Sequence, residues 1–118
     1  MYHIREIALK NKHQIKKRLV IEFDNPDMKI VGEFLMVDAP LHEWSVLQDV
    51  DRVLNKVVPS KHFSGNRCGL DIMPDKTYLY DTFADKEGVS AYSDYKMDTV
   101  KLRELILMWR KQHQKSGI

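Results

Sequence analysis

The sequence predicts an α+β domain in which two helices pack on an antiparallel sheet, in the approximate order ββαβββα. Three observations lead there. Apolar residues alternate in "IKKRLVIEF", "CGLDIM" and "TYLYDTF", the period of strands with one buried face. They recur every three or four residues in "WSVLQDVDRVLNKV" and "TVKLRELILMW", the period of an amphipathic helix. The connections are short and polar, which favours adjacent antiparallel strands over parallel crossovers.

Taken in order, the first fifteen residues read two ways. Ile4, Ile7 and Leu9 form a short helical stripe, and "KNKHQ" reads as a turn or exposed connection. Leu19, Ile21 and Phe23 then share one strand face, and "NPD" supplies a turn in which Asn25 and Asp27 can bond to the local backbone. "MKIVGEFLMV" reads as the returning strand, giving a hairpin from about Ile15 to Val37. Trp44, Leu47, Val50, Leu54 and Val57 line the core face of a helix, with Asp38 able to cap its start and Pro59 helping to end it.

"PSKHFSGNR" reads as a turn-rich connection. The strands "CGLDIM", "TYLYDTF" and "AYSDYKM" follow as a meander, separated by Pro74 and Asp75 and by "ADKEG". Alternation groups Cys68 with Leu70 and Ile72, opposite Asp71, and sets Tyr78 and Tyr80 against Leu79 and Asp81. The final helix carries Leu102, Leu105, Ile106 and Trp109 on one face, with Asp98 or Thr99 as its cap. We expect one compact domain over 1–118, with 114–118 as a frayed tail.

A chain of 118 residues buries roughly 65% of the surface its unfolded form exposes, enough to fold without a staple. The single cysteine, Cys68, excludes an internal disulfide, and no stretch reaches the roughly 18 apolar residues of a membrane span. With no cleavable leader pattern at the start, a cytoplasmic protein is expected.

The net charge of +2 hides a division. Residues 1–20 carry a net +5, residues 21–98 a net −7 and residues 99–118 a net +4. The acidic middle suits a cationic protein partner, and its carboxylates lie among aromatic rings that can supply desolvated contact area. The candidates for partner binding are Asp71, Asp75, Tyr78, Tyr80, Asp81, Asp85, Glu87, Tyr92 and Asp94. The alternative partner is nucleic acid, with Lys10, Lys12, Lys16, Lys17, Arg18, Arg110, Lys111 and Lys115 forming one phosphate-binding surface if the termini meet. A structural protein without enzymatic role is the remaining reading.

Catalysis has no specified apparatus. Cys68 alternates with Leu70 and Ile72 and reads as a small buried hydrophobe. "HEWSV" lacks the second histidine of HExxH, and "FSGNRCG" is not a phosphate-binding loop. His3, His13, His42, His62 and His113 have no ligand spacing, so neither a metal nor a cofactor is expected.

The segments "IEFDNPDMKIVGEFLMVD", "HFSGNRCGLDIMPDKTYLYDTF" and "YKMDTVKLRELILMW" together resemble, over Leu19 to Trp109, small bacterial immunity proteins of contact-dependent or other polymorphic toxin systems. The resemblance implies a cytosolic antitoxin that binds a cognate toxin domain, often a nuclease, and blocks its active site or substrate surface. It carries no catalytic motif and no common set of binding residues. The basic termini depart from the acidic character of many nuclease inhibitors.

Overall fold

The computed structural model describes residues 1–82 and 92–117. It has the α+β class that the alternating and helical periods predict, with its strands divided between two antiparallel sheets. A two-stranded sheet pairs β1 (Tyr2–Asn11) with β2 (Gln14–Phe23). A four-stranded sheet runs in the order β3 (Lys61–Ser64), β4 (Cys68–Ile72), β5 (Lys76–Asp81) and β6 (Tyr95–Asp98). Each strand neighbours the next in sequence, so the expected meander is present, with one further strand at its start.

The first hairpin lies earlier than the sequence reading put it. β1 occupies the segment read as a helical stripe, and the turn falls at Lys12 and His13, inside "KNKHQ". The pairing of Ile4 with Ile21 and Tyr2 with Phe23 puts these apolar groups on one face, a reward that an isolated helical stripe cannot match. "NPD" makes a local turn: Asn25 Oδ1 accepts from the Asp27 amide at 3.0 Å.

"MKIVGEFLMV" is helical, not a strand. Helix α1 (Lys29–Glu33) continues into a π-helical turn (Phe34–Asp38), closed by the Ala39 amide donating to the Phe34 carbonyl at 2.9 Å. Ile30 and Val31, then Phe34 and Leu35, recur four residues apart and are fully buried. The helix crosses β2 at Gly32, where an added Cβ would meet the Ile21 carbonyl at an ordinary contact distance of 3.4 Å.

The next helix is shorter than its stripe suggested. In α2 (Leu41–Trp44), His42, Glu43 and Trp44 have φ of 53°, 58° and 65°, a left-handed turn that swings the Trp44 ring edge-on to His113, 5.5 Å between centroids. The regular helix α3 (Val46–Leu54) buries Val46, Leu47, Val50 and Val53. It ends with Lys56 at φ 60°, whose amide donates to the Val53 carbonyl while that of Val57 donates to Arg52, a Schellman closure. Val57 is therefore outside the stripe and exposed.

Helix α4 (Thr99–Ser116) buries Thr99, Leu102, Ile106 and Trp109. The Asp98 side chain does not cap it and pairs with Lys76 instead. The Thr99 amide donates to the Asp75 carbonyl at 3.0 Å and its hydroxyl to the Met73 carbonyl at 2.5 Å. This stitches the helix start to the β4–β5 turn. Arg103 Nε donates to Asp51 at 2.5 Å, joining α4 to α3. Helices α1, α3 and α4 thus pack over one face of the four-stranded sheet, where Phe63, Cys68, Leu70, Ile72, Leu79 and Met97 form the floor of the core.

Candidate functional site

Among the described residues, no helix lies on the other face of that sheet. Side chains that alternate with Phe63, Leu70, Leu79 and Met97 point outward. The register then aligns His62, Asp71, Tyr78 and Lys96 in a row across β3, β4, β5 and β6, all four exposed. A second row sets Gly69 beside Tyr80. Here the glycine has a steric reason: a Cβ at 69 would stand 2.6 Å from the Tyr80 hydroxyl oxygen and closer still to its ring.

The row is knit by short-range contacts. His62 Nδ1 lies 2.9 Å from Asp71 Oδ1, and the His62 and Tyr80 rings stack with centroids 6.4 Å apart. Lys96 Nζ sits 5.6 Å above the Tyr78 ring, within cation–π reach. Partial burial, aided by the charge of Asp71, pushes the Tyr80 hydroxyl above the ordinary phenol range, so it stays a neutral donor. The His62–Asp71 pair is more than half exposed on both sides, and water screening leaves it little weight in stability. The face offers two phenol rings with their hydroxyls, an imidazole, a carboxylate and an ammonium, a set suited to recognition of another polar-aromatic surface.

A different cluster sits at the end of the sheet. Asp38, fully buried, accepts from the amides of Asn66, Arg67 and Cys68 at 2.6–3.1 Å and so organises the β3–β4 turn. Its carboxylate therefore caps this turn and not the start of the following helix. Asp81 points inward with a fully buried side chain, 3.2 Å from the Arg67 guanidinium. That guanidinium lies 5.2 Å from the centre of the Tyr92 ring. Burial first, and the Asp38 charge second, push the Cys68 thiol far above its ordinary range, which makes it a poor nucleophile.

The acidic-aromatic candidates therefore divide. Asp71, Tyr78 and Tyr80 share the open face; Asp75 is exposed in the β4–β5 turn and Asp94 just before β6. Asp81 and Tyr92 belong to the Arg67 cluster, and Asp85 and Glu87 lie outside the described residues. Sequence reasoning missed His62 and Lys96 as members of the face. The alternation around Phe63 in "KHFS" was the available signal, but four residues are too short for a period to stand out.

The basic candidates sit on different elements. Lys10, Lys12, Lys16, Lys17 and Arg18 are on the outer half of the first hairpin, and Arg110, Lys111 and Lys115 on the last turns of α4. The base of the hairpin faces α4 across a groove of about 630 Å³, lined by Met1 and Tyr2 together with Met28, Tyr95, Met97 and Met108. Among the described residues, no group of three or more His, Cys, Asp or Glu side chains could hold a metal ion.

Fold and face together describe a small α+β protein with a solvent-facing aromatic and charged sheet surface. The chain is similar to a Bacillus cereus protein named an immunity protein, 29% identical over 84 residues, which cover 71% of this chain and 69% of that relative. No protein-family model matches the chain, and no solved structure matches it. No helix among the described residues is long and apolar enough to cross a membrane.

Proposed function

We propose that this chain is an immunity protein that binds a cognate bacterial toxin and neutralises it stoichiometrically, without turnover. The observation that carries the reading is the similarity to the Bacillus cereus immunity protein across most of both chains. The open sheet face is the surface first assigned to the contact. Tyr78, 41% exposed, and Tyr80 would anchor in the partner, while Asp71 and Lys96 fix register through opposite charges. Neutralisation is then occlusion of the toxin's active site or substrate surface in the cytosol, a nuclease being the first class to try.

The test is reconstitution with the purified toxin domain encoded beside this chain's gene. Toxin activity should fall linearly to zero as this protein is added and reach its end point at a fixed molar ratio. Asp71→Lys with Tyr78→Ala should weaken the complex about 100-fold while the circular-dichroism spectrum stays unchanged. Absence of any complex would sink the immunity reading; a complex indifferent to the double variant would move the contact elsewhere on the protein.

A further inference from the structure

The geometry points to a second contact element: the outer half of the first hairpin is an arm that inserts into an acidic cleft of a protein partner. This rests on the immunity reading, which makes the toxin that partner. β1 and β2 stay paired along their whole length, from Tyr2 opposite Phe23 to Asn11 opposite Gln14. Among the described residues, only the base packs on the core, through Leu19 and Ile21 with Tyr2, Ile4 and Phe23. Every residue from Ala8 to Arg18 is exposed. The radius of gyration is 15.0 Å, against about 13.5 Å for a compact chain of this length, and the longest extent is 49 Å.

Charge changes along the arm. At the base, the terminal amine and His3 pair with Asp24, and Arg5 pairs with Glu22 at 2.5 Å. Lys17 reaches back to Glu6 at 3.7 Å. From Ile7 to Arg18 there are five Lys or Arg and no carboxylate. Among the described residues, Lys10, Lys12, Lys16 and Arg18 make no ion pair, so the outer half carries uncompensated positive charge that an acidic surface would complement.

Two exposed aliphatics choose between kinds of anion. Leu9 is 49% and Ile15 66% exposed, and the register puts them on opposite faces of the ribbon. Ile15 stands opposite Lys10 on one face; Leu9 stands opposite Lys16 on the other. Both faces therefore carry the same mixture of cation and apolar group. A ribbon laid along a nucleic-acid groove presents one face to the floor and leaves the other in water. Walls on both sides bury both aliphatics, and those walls are acidic where the lysines pass.

The experiment measures association and dissociation of the same purified toxin domain at 50 and 300 mM salt, with a 30-base-pair DNA duplex as second analyte. Lys12→Glu/Lys16→Glu/Arg18→Glu should slow toxin association about 100-fold at low salt, and the difference should shrink at high salt. Leu9→Ser/Ile15→Ser should leave association unchanged and speed dissociation about tenfold. These residues are exposed, so thermal unfolding should match the parent and serves as the folding control. Equal rates for parent and both variants would overturn the arm and leave the immunity reading standing. No complex with the parent would overturn both, and arm-dependent binding of the duplex without an effect on toxin would reassign the arm to nucleic acid.

Discussion

Gly65 lies against the buried carboxylate of Asp38 so closely that a Cβ on residue 65 would stand 2.6 Å from both carboxylate oxygens. The turn between β3 and β4 is thus wrapped around one charge, with the amides of Asn66, Arg67 and Cys68 aimed at it.

Removing that charge should be costly. Asp38→Ala leaves three amide donors facing a cavity, and should destabilise the fold by about 3 kcal/mol, lowering Tm by about 10 °C. Gly65→Ala should act through the same bonds by pushing the carboxylate aside. The double variant should therefore lose little more than Asp38→Ala alone; fully additive losses in urea unfolding would show that the two residues act separately.

Left-handed backbone at side-chain-bearing residues predicts stabilising changes. Lys56, at φ 60° in the closure of α3, should gain about 0.5–1 kcal/mol as Lys56→Gly, because glycine reaches that conformation without the Cβ clash. His42→Gly should gain similarly at φ 53°. A lower urea midpoint for Lys56→Gly would contradict this account of the helix end.

Two surface carboxylates make a small, water-screened part of the stability acid-sensitive. The hydrogen bond from the terminal amine holds Asp24 below its ordinary range, and that from Lys76 does so for Asp98. A folded-state value below the unfolded one stabilises above the unfolded pKa, and that contribution is lost as pH falls through the folded value. The urea midpoint should therefore drop from about pH 4 downward. Asp98→Asn should flatten this drop, and an unchanged slope would remove Asp98 from the explanation. Lys76 is held above its ordinary value by the same bond, so the pair's contribution is also lost at alkaline pH as the lysine deprotonates.

Cys68 should be chemically silent in the native protein. Its thiol is buried, bounded by the Asp38 charge and held in the protonated form. Reaction with a disulfide reagent at pH 8 should be at least about 100-fold slower than in denaturant, limited by opening of the fold. Rapid native labelling would mean that the β3–β4 end opens on its own.

The long helix α4, the strands β4 and β5 and the α+β class were legible in the chain, because their apolar periods run long enough to leave one reading. Parity alone set Asp81 beside Leu79 and Asp71 opposite Leu70, and the structure keeps both pairings. Residues Met28 to Val37 were not legible in this way. Ile30, Val31, Phe34 and Leu35 suit a strand by propensity and a helix by spacing, and the tertiary packing that buries all four on a helix is what decides. The candidate face was likewise half visible. Asp71 and Tyr78 were in view, but His62 and Lys96 join them through strand register, which non-local pairing fixes and a local pattern does not encode.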